Sequence, residues 1–192
     1  MQTDYLVVSW KEYHSLSRIL AAQLLSKQIH IDEIVAISRG GLTLGHLLTD
    51  LLRVPISTFT IQSYMDIKKQ GEVKITKPLA TPLDGKQILL VDDVADRGTT
   101  IVRAIEYLKM FTPKKINTLT MYYKPHSIYK PDYYARVTSD WIIFPYEPVE
   151  TIIKIINGLK KEGKTEKDIT AFINKLGCDK EIVKFTKKYY CR

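Results

Sequence analysis

The chain has 192 residues, 45% of them apolar and 26% charged, and a formal net charge of +8. That balance excludes a disordered or fibrous chain, and no apolar run approaches the ~18 residues that would span a bilayer. The charge excess is local, with eleven Lys/Arg against five Asp/Glu in residues 154–192. It reads as a lysine-rich helical surface rather than a nucleic-acid site. Cys178 and Cys191 form no CxxC and have no histidine cluster nearby, so the expectation is neither a disulfide nor zinc, in a cytoplasmic setting.

Tyr5 to Val8 is strand-like, and Ser9-Trp-Lys-Glu12 is a capping box that starts a helix with Leu16, Ile19, Leu20 and Leu24 inward. Glu33 to Ser38 reads as a buried strand, broken by Arg39-Gly40-Gly41. A helix follows with Leu44, Leu47, Leu48 and Leu51 inward, and Ile56 to Ile61 is a third strand. Residues 63–85 carry lysines, two glycines and two prolines without sustained patterning. A loop of that length predicts a mobile lid, with a loose hairpin as one way to fold it.

Ile88 to Val91 is the next buried strand, and Asp92 and Asp93 stand where it emerges into solvent. Arg97-Gly98-Thr99-Thr100 then opens a helix with Ile101, Ile105 and Leu108 on one face. Ile116 to Tyr123 and Trp141 to Phe144 complete the strands. Beyond Glu147 the pattern is helical: Ile152, Ile153, Ile156 and Leu159, then a helix capped by Thr165-Glu-Lys-Asp168, then Ile182, Val183 and Phe185. The alternation predicts an α/β fold, a mostly parallel twisted sheet of about five strands flanked by helices, plus a C-terminal three-helix extension. The expected division is a core over residues 1–148 with its lid at 63–85, and the extension over 149–192.

Strand, acidic tip, tight loop and helix N-terminus form a layout that holds phosphorylated ligands. The stretch ILLVDDVADRGTT at 88–100 resembles the signature of the type I phosphoribosyltransferases, which bind 5-phosphoribosyl diphosphate (PRPP). Ile37-Ser-Arg-Gly-Gly-Leu42 resembles their pyrophosphate loop, and Ser63-Tyr64 their lid. Tyr123-Lys-Pro125 and Asp140-Trp-Ile-Ile-Phe-Pro-Tyr-Glu147 resemble the base-binding segments of the purine branch. Together these segments cover about residues 5–148.

The resemblance implies roles. Asp92 and Asp93 would hold the ribose hydroxyls, and Ala95, Asp96, Arg97, Gly98, Thr99 and Thr100 would wrap the 5-phosphate. Asp96 would serve as general base or acid near purine N7. Ser38, Arg39 and Gly40 would clamp the pyrophosphate, with Ser38–Arg39 as a cis peptide. Lys124, Trp141 and Ile142 would bind the base, while Arg97 departs from a position often filled by Thr. Mg²⁺ would reach Asp93, through water, and Glu147 where relatives often have an Asp. A homodimer is the family's usual state.

Lys124 favours a 6-oxopurine, because an ammonium donates to an oxo group and mismatches the 6-amino group of adenine. The three-helix extension resembles a crenarchaeal group with the same core whose substrate is adenine. The reading leans narrowly to adenine, with a 6-oxopurine as the alternative. A PRPP-sensing regulator that binds nucleic acid through its basic tail is the rival of another class.

Overall fold

A computed structural model describes residues 4–66 and 69–191, and the side chains of all of these except 63–73. The chain gathers into two compact units, His14–Ser139 on the one hand and the residues up to Tyr13 with Asp140 onward on the other.

The unit His14–Ser139 holds a six-stranded sheet. Its strands are β2 (Glu33–Ser38), β3 (Ile56–Asp66), β4 (Lys69–Lys77), β5 (Gln87–Ala95), β6 (Lys115–Tyr123) and β7 (Tyr133–Val137), in the order β4-β3-β2-β5-β6-β7. All neighbours are parallel except β3 and β4, which form an antiparallel hairpin. The expected α/β sheet is thus present, with β4 and β7 added at its two edges. Residues 63–66 and 69–77 lie in the strands of this hairpin rather than in a structureless loop; the side chains of Ser63 and Tyr64 are outside the described residues. Most of α1 (Trp10–Ser26) and all of α2 (Gly40–Leu52) and α3 (Thr99–Lys109) belong to this unit.

Central strands β2 and β5 are buried along almost their whole apolar runs, which suits a sheet covered on both faces. Leu16, Leu20 and Leu24 of α1 are buried as expected, whereas Ile19 is 47% exposed. The buried stripe runs instead through Tyr13, Leu16, Ser17, Leu20, Ala21 and Leu24, a helical row that leaves Ile19 at its edge. Gly45 brings α2 close to the sheet: a Cβ there would stand 2.8 Å from Ile56 Cδ1 and 2.9 Å from the Ala36 methyl.

The connection β2–α2–β3 runs to one side of the sheet, and β5–α3–β6 runs to the other. The sheet therefore reverses its winding between β2 and β5, where α/β sheets open a crevice at their strand ends.

In the other unit β1 (Tyr5–Val7) pairs in parallel with β8 (Trp141–Ile143), and α4 (Pro148–Lys161), α5 (Glu166–Lys175) and α6 (Lys180–Tyr190) follow. Ile143, Ile152, Ile155, Ile156, Ile169 and Ile173 form its core. The capping box at Thr165 is complete, because Asp168 N donates to Thr165 Oγ1 (3.2 Å) and Thr165 N donates to Asp168 Oδ2 (3.2 Å). Both cysteines are free. Among the described residues no helix is long and apolar enough to cross a membrane.

Candidate active site

The acidic tip is a consequence of strand pairing. β5 pairs with β2 only as far as Val91, opposite Ala36, but continues alongside β6 through Asp92, Val94 and Ala95. The strand was expected to end at Val91; its pairing with one neighbour alone carries it four residues further. Asp92 and Asp93 consequently lie inside a strand that has lost its partner on one side, at the winding reversal.

Alternation along that strand gives the two acids different surroundings. Asp92 is 8% exposed. Its carboxylate accepts the backbone N–H of Asp93 at 3.0 Å and that of Gly41. Asp93 is half-buried. Burial pushes the Asp92 carboxyl well above the ordinary aspartate value, the negative charge of Asp93 adds to the shift, and the two amide donors pull against it. The folded chain thus binds this proton more tightly than the unfolded chain does. Stability from this group is complete below the ordinary value near 3.8 and is lost as pH rises through the elevated one. The difference in Tm between Asp92→Asn and the parent should therefore grow in favour of the variant from acid to neutral pH. A difference independent of pH would contradict this.

The Ser38–Arg39 peptide is cis, as the resemblance implied. Arg39 is exposed, and α2 begins immediately after it. Gly40 and Gly41 let this turn approach the acids. A Cβ on Gly40 would lie 2.5–2.7 Å from the Asp93 carboxylate, and one on Gly41 would overlap the Val91 carbonyl and stand 3.1 Å from Asp92 Cα. Gly40 and Gly41, which follow Ser38 and Arg39 directly, are in this way brought against Asp93 and Asp92.

Past Ala95 the chain turns through Asp96 and Arg97 to Gly98, whose φ of 82° is left-handed. Gly98 is the N-cap of α3 and has no side chain to cap it, so the helix starts at Thr99 without a side-chain partner for its first amides. Those N–H groups and the positive end of the helix dipole suit an anion. Arg97 is exposed, and its carbonyl accepts the Ile128 N–H at 3.1 Å. A Cβ on Gly98 would stand 2.5 Å from Ser127 Oγ and 2.7 Å from Tyr129 N, so segment 126–129 packs directly on this loop.

Because Ala95 is registered with Tyr123, the next residues of β5 and β6 face one another. Lys124 Nζ lies 3.2 Å from Asp96 Oδ1; the lysine side chain is 8% exposed and the aspartate 45%. His126 Nε2 reaches the same oxygen at 3.1 Å. His126 was not singled out in the sequence, because a lone histidine after Lys-Pro in a loop has no pattern that marks it.

Residues 9–151 match the phosphoribosyl transferase domain. The chain belongs to the phosphoribosyltransferase family. It is similar to the xanthine-guanine phosphoribosyltransferase of Gluconobacter oxydans, with 34% identity over 164 residues, or 83% of this chain and 94% of that one. Among solved structures it is similar to a purine phosphoribosyltransferase from Pyrococcus horikoshii. That likeness has a TM-score of 0.69 and 30% identity, and covers 75% of this chain and 95% of that one. The Helicobacter pylori xanthine-guanine-hypoxanthine enzyme superposes with a TM-score of 0.67 at 26% identity, over 78% of this chain and 98% of that one.

The remaining site residues expected of a phosphoribosyltransferase lie in the second unit and are described within it. Trp141 opens β8 with its indole 47% exposed, and Ile142 follows it, buried. Glu147 is the N-cap residue of α4 and makes no side-chain capping hydrogen bond. Among the described residues no group of three or more His, Cys, Asp or Glu side chains is arranged to hold a metal ion. Mg²⁺ that arrives with a diphosphate needs fewer protein ligands, commonly one or two carboxylates with waters and phosphate oxygens. The adjacent Asp92 and Asp93 fit that sparse requirement.

Proposed function

We propose that this phosphoribosyltransferase moves the 5-phosphoribosyl group of PRPP to N9 of a 6-oxopurine base, releasing pyrophosphate and a nucleoside 5′-monophosphate. The observation that carries the choice of base is Lys124, a buried ammonium held beside Asp96. An ammonium has three donors and no acceptor, so it complements the O6 of guanine, hypoxanthine or xanthine and mismatches the amino group of adenine. The Gluconobacter oxydans and Helicobacter pylori relatives, named for xanthine and guanine, support the same choice. The narrow preference for adenine drawn from the sequence is thus less well supported than its alternative. Adenine retains one argument, since helices α5 and α6 and most of α4 lie beyond the matched residues 9–151.

In this reading the 5-phosphate is bound by the loop Ala95–Thr100 and the first amides of α3. The ribose hydroxyls are bound by Asp92 and Asp93, and the diphosphate by Ser38, Arg39 and Gly40. As the C1′–O bond to the diphosphate breaks, positive charge grows on the sugar, and the two carboxylates stabilise it. The C1′–N9 bond forms on the opposite side, and Asp96 takes the proton that the purine gives up. Asp93 would hold the Mg²⁺ that accompanies PRPP, and that ion would neutralise charge on the diphosphate. Trp141 as stacking residue, Ile142 as backbone contact, Glu147 as a further metal contact and Ser63–Tyr64 as lid are part of the same proposal.

The test is PRPP-dependent turnover with adenine, guanine, hypoxanthine and xanthine. At least one 6-oxopurine should exceed adenine in kcat/KM by about 10-fold or more, the scale of one mismatched polar contact. The reverse order would restore adenine, and turnover of none would end the reading.

A further inference from the structure

Asp96 uses its two carboxylate oxygens unequally. Oδ1 contacts both Lys124 Nζ at 3.2 Å and His126 Nε2 at 3.1 Å. Among the described residues Oδ2 makes no hydrogen bond or ion pair. The position of His126 is fixed by backbone rather than by its own ring: Ser127 N donates to Lys124 O at 2.9 Å, and Ile128 N donates to Arg97 O at 3.1 Å. The imidazole itself is 57% exposed. A carboxylate pinned at one oxygen by two donors from a rigid turn has its second oxygen aimed in one direction.

We propose that His126 is a positioning residue for the proton acceptor of the reaction: it fixes Oδ1 of Asp96 so that Oδ2 is presented to the purine. The inference rests on the proposed function, in which Asp96 faces the base, and it adds a residue outside the family motifs quoted above. A second donor matters because Lys124 alone is a single contact about which the carboxylate can rotate. Orientation of a reacting group to within a fraction of an ångström carries large rate effects.

PRPP binding should be little changed when His126 is altered, because His126 is not among the residues assigned to the sugar or its phosphates.

Two variants test the contact. His126→Ala removes it, and kcat should drop by about 10-fold with KM for PRPP within about 2-fold of the parent. His126→Gln keeps a hydrogen-bond donor at this position and should recover most of kcat. Thermal melts check that both exposed-site variants fold. Unchanged kcat in His126→Ala, equal impairment of both variants, or a rise in KM for PRPP alone would overturn the proposal. A parent enzyme that turns over none of the four bases would instead refute the proposed function and take this inference with it.

Discussion

Asp96→Asn should lower kcat by about 10²- to 10⁴-fold, the contribution of a positioned general acid or base, while the chain stays folded. Asparagine keeps an oxygen where Oδ1 accepts from Lys124 and His126, so the local hydrogen bonds persist. What it loses is the capacity to take a proton at the second oxygen. The stability cost is small, because the Asp96 side chain is 45% exposed and ion pairs at such sites contribute little. KM for PRPP should move much less than kcat, since in the proposed reading the loop Ala95–Thr100 holds the 5-phosphate through backbone amides, which asparagine keeps, and not through the Asp96 carboxylate. Full turnover in this variant, measured under saturating PRPP and base, would remove Asp96 from the chemistry.

Gly41→Ala should be the most damaging single methyl in the site. Its Cβ would overlap the Val91 carbonyl and press on Asp92 Cα at 3.1 Å, and those neighbours are backbone in a central strand that cannot rotate away. Overpacking of this kind costs about 1–3 kcal/mol, and a backbone neighbour places this case at the upper end. For a chain of this size each kcal/mol lowers Tm by about 2–4 °C, so a fall of about 6–12 °C is expected. The same methyl pushes α2 away from β5, and with it the turn Ser38–Gly40 and the Gly41 amide that Asp92 accepts. Activity should therefore fall even at temperatures where the variant is folded. An alanine variant with parental Tm and parental turnover would contradict the close contact of turn and acidic tip. Gly158→Ala is the natural control: a Cβ there meets nothing within 4 Å, in a helix that alanine favours.

The contrast between these two sites shows what the sequence could disclose. The order of strands and helices was legible because the central strands are buried on both faces and written as unbroken apolar runs. The C-terminal helices were legible from their periodicity and from the capping box at Thr165. Strand β5 was read four residues short, because Asp92 and Asp93 interrupt the apolar run although pairing with β6 continues beside them. Strand β7, YYARV, has only its first residue buried, and its polar second half masks the pattern. Strand β4 is an edge strand of mixed lysines and β-branched residues, which the eye reads as loop. Ile19 was misplaced because a helix shows a residue's spacing more clearly than the width of the buried stripe.

At the site, the acids, the glycine loop and Lys124 were singled out from chain order, and the structure brings Lys124 to Asp96 and Gly40 to Asp93. The cis peptide was legible only through family resemblance, since nothing in Ser-Arg signals it. His126 was not legible at all. Its significance depends on the register of β5 against β6, which sets Asp96 opposite Lys124, and on the turn that folds residues 126–129 back over Gly98.

The most direct measurement is a crystal structure with a nucleoside 5′-monophosphate product, for which inosine or guanosine monophosphate is the appropriate ligand. The account expects the 5′-phosphate within hydrogen-bonding distance of the backbone amides from Gly98 to Thr100, and the ribose hydroxyls on Asp92 and Asp93. A nucleotide bound elsewhere on the chain, with the crevice between β2 and β5 left empty at saturating ligand, would contradict it.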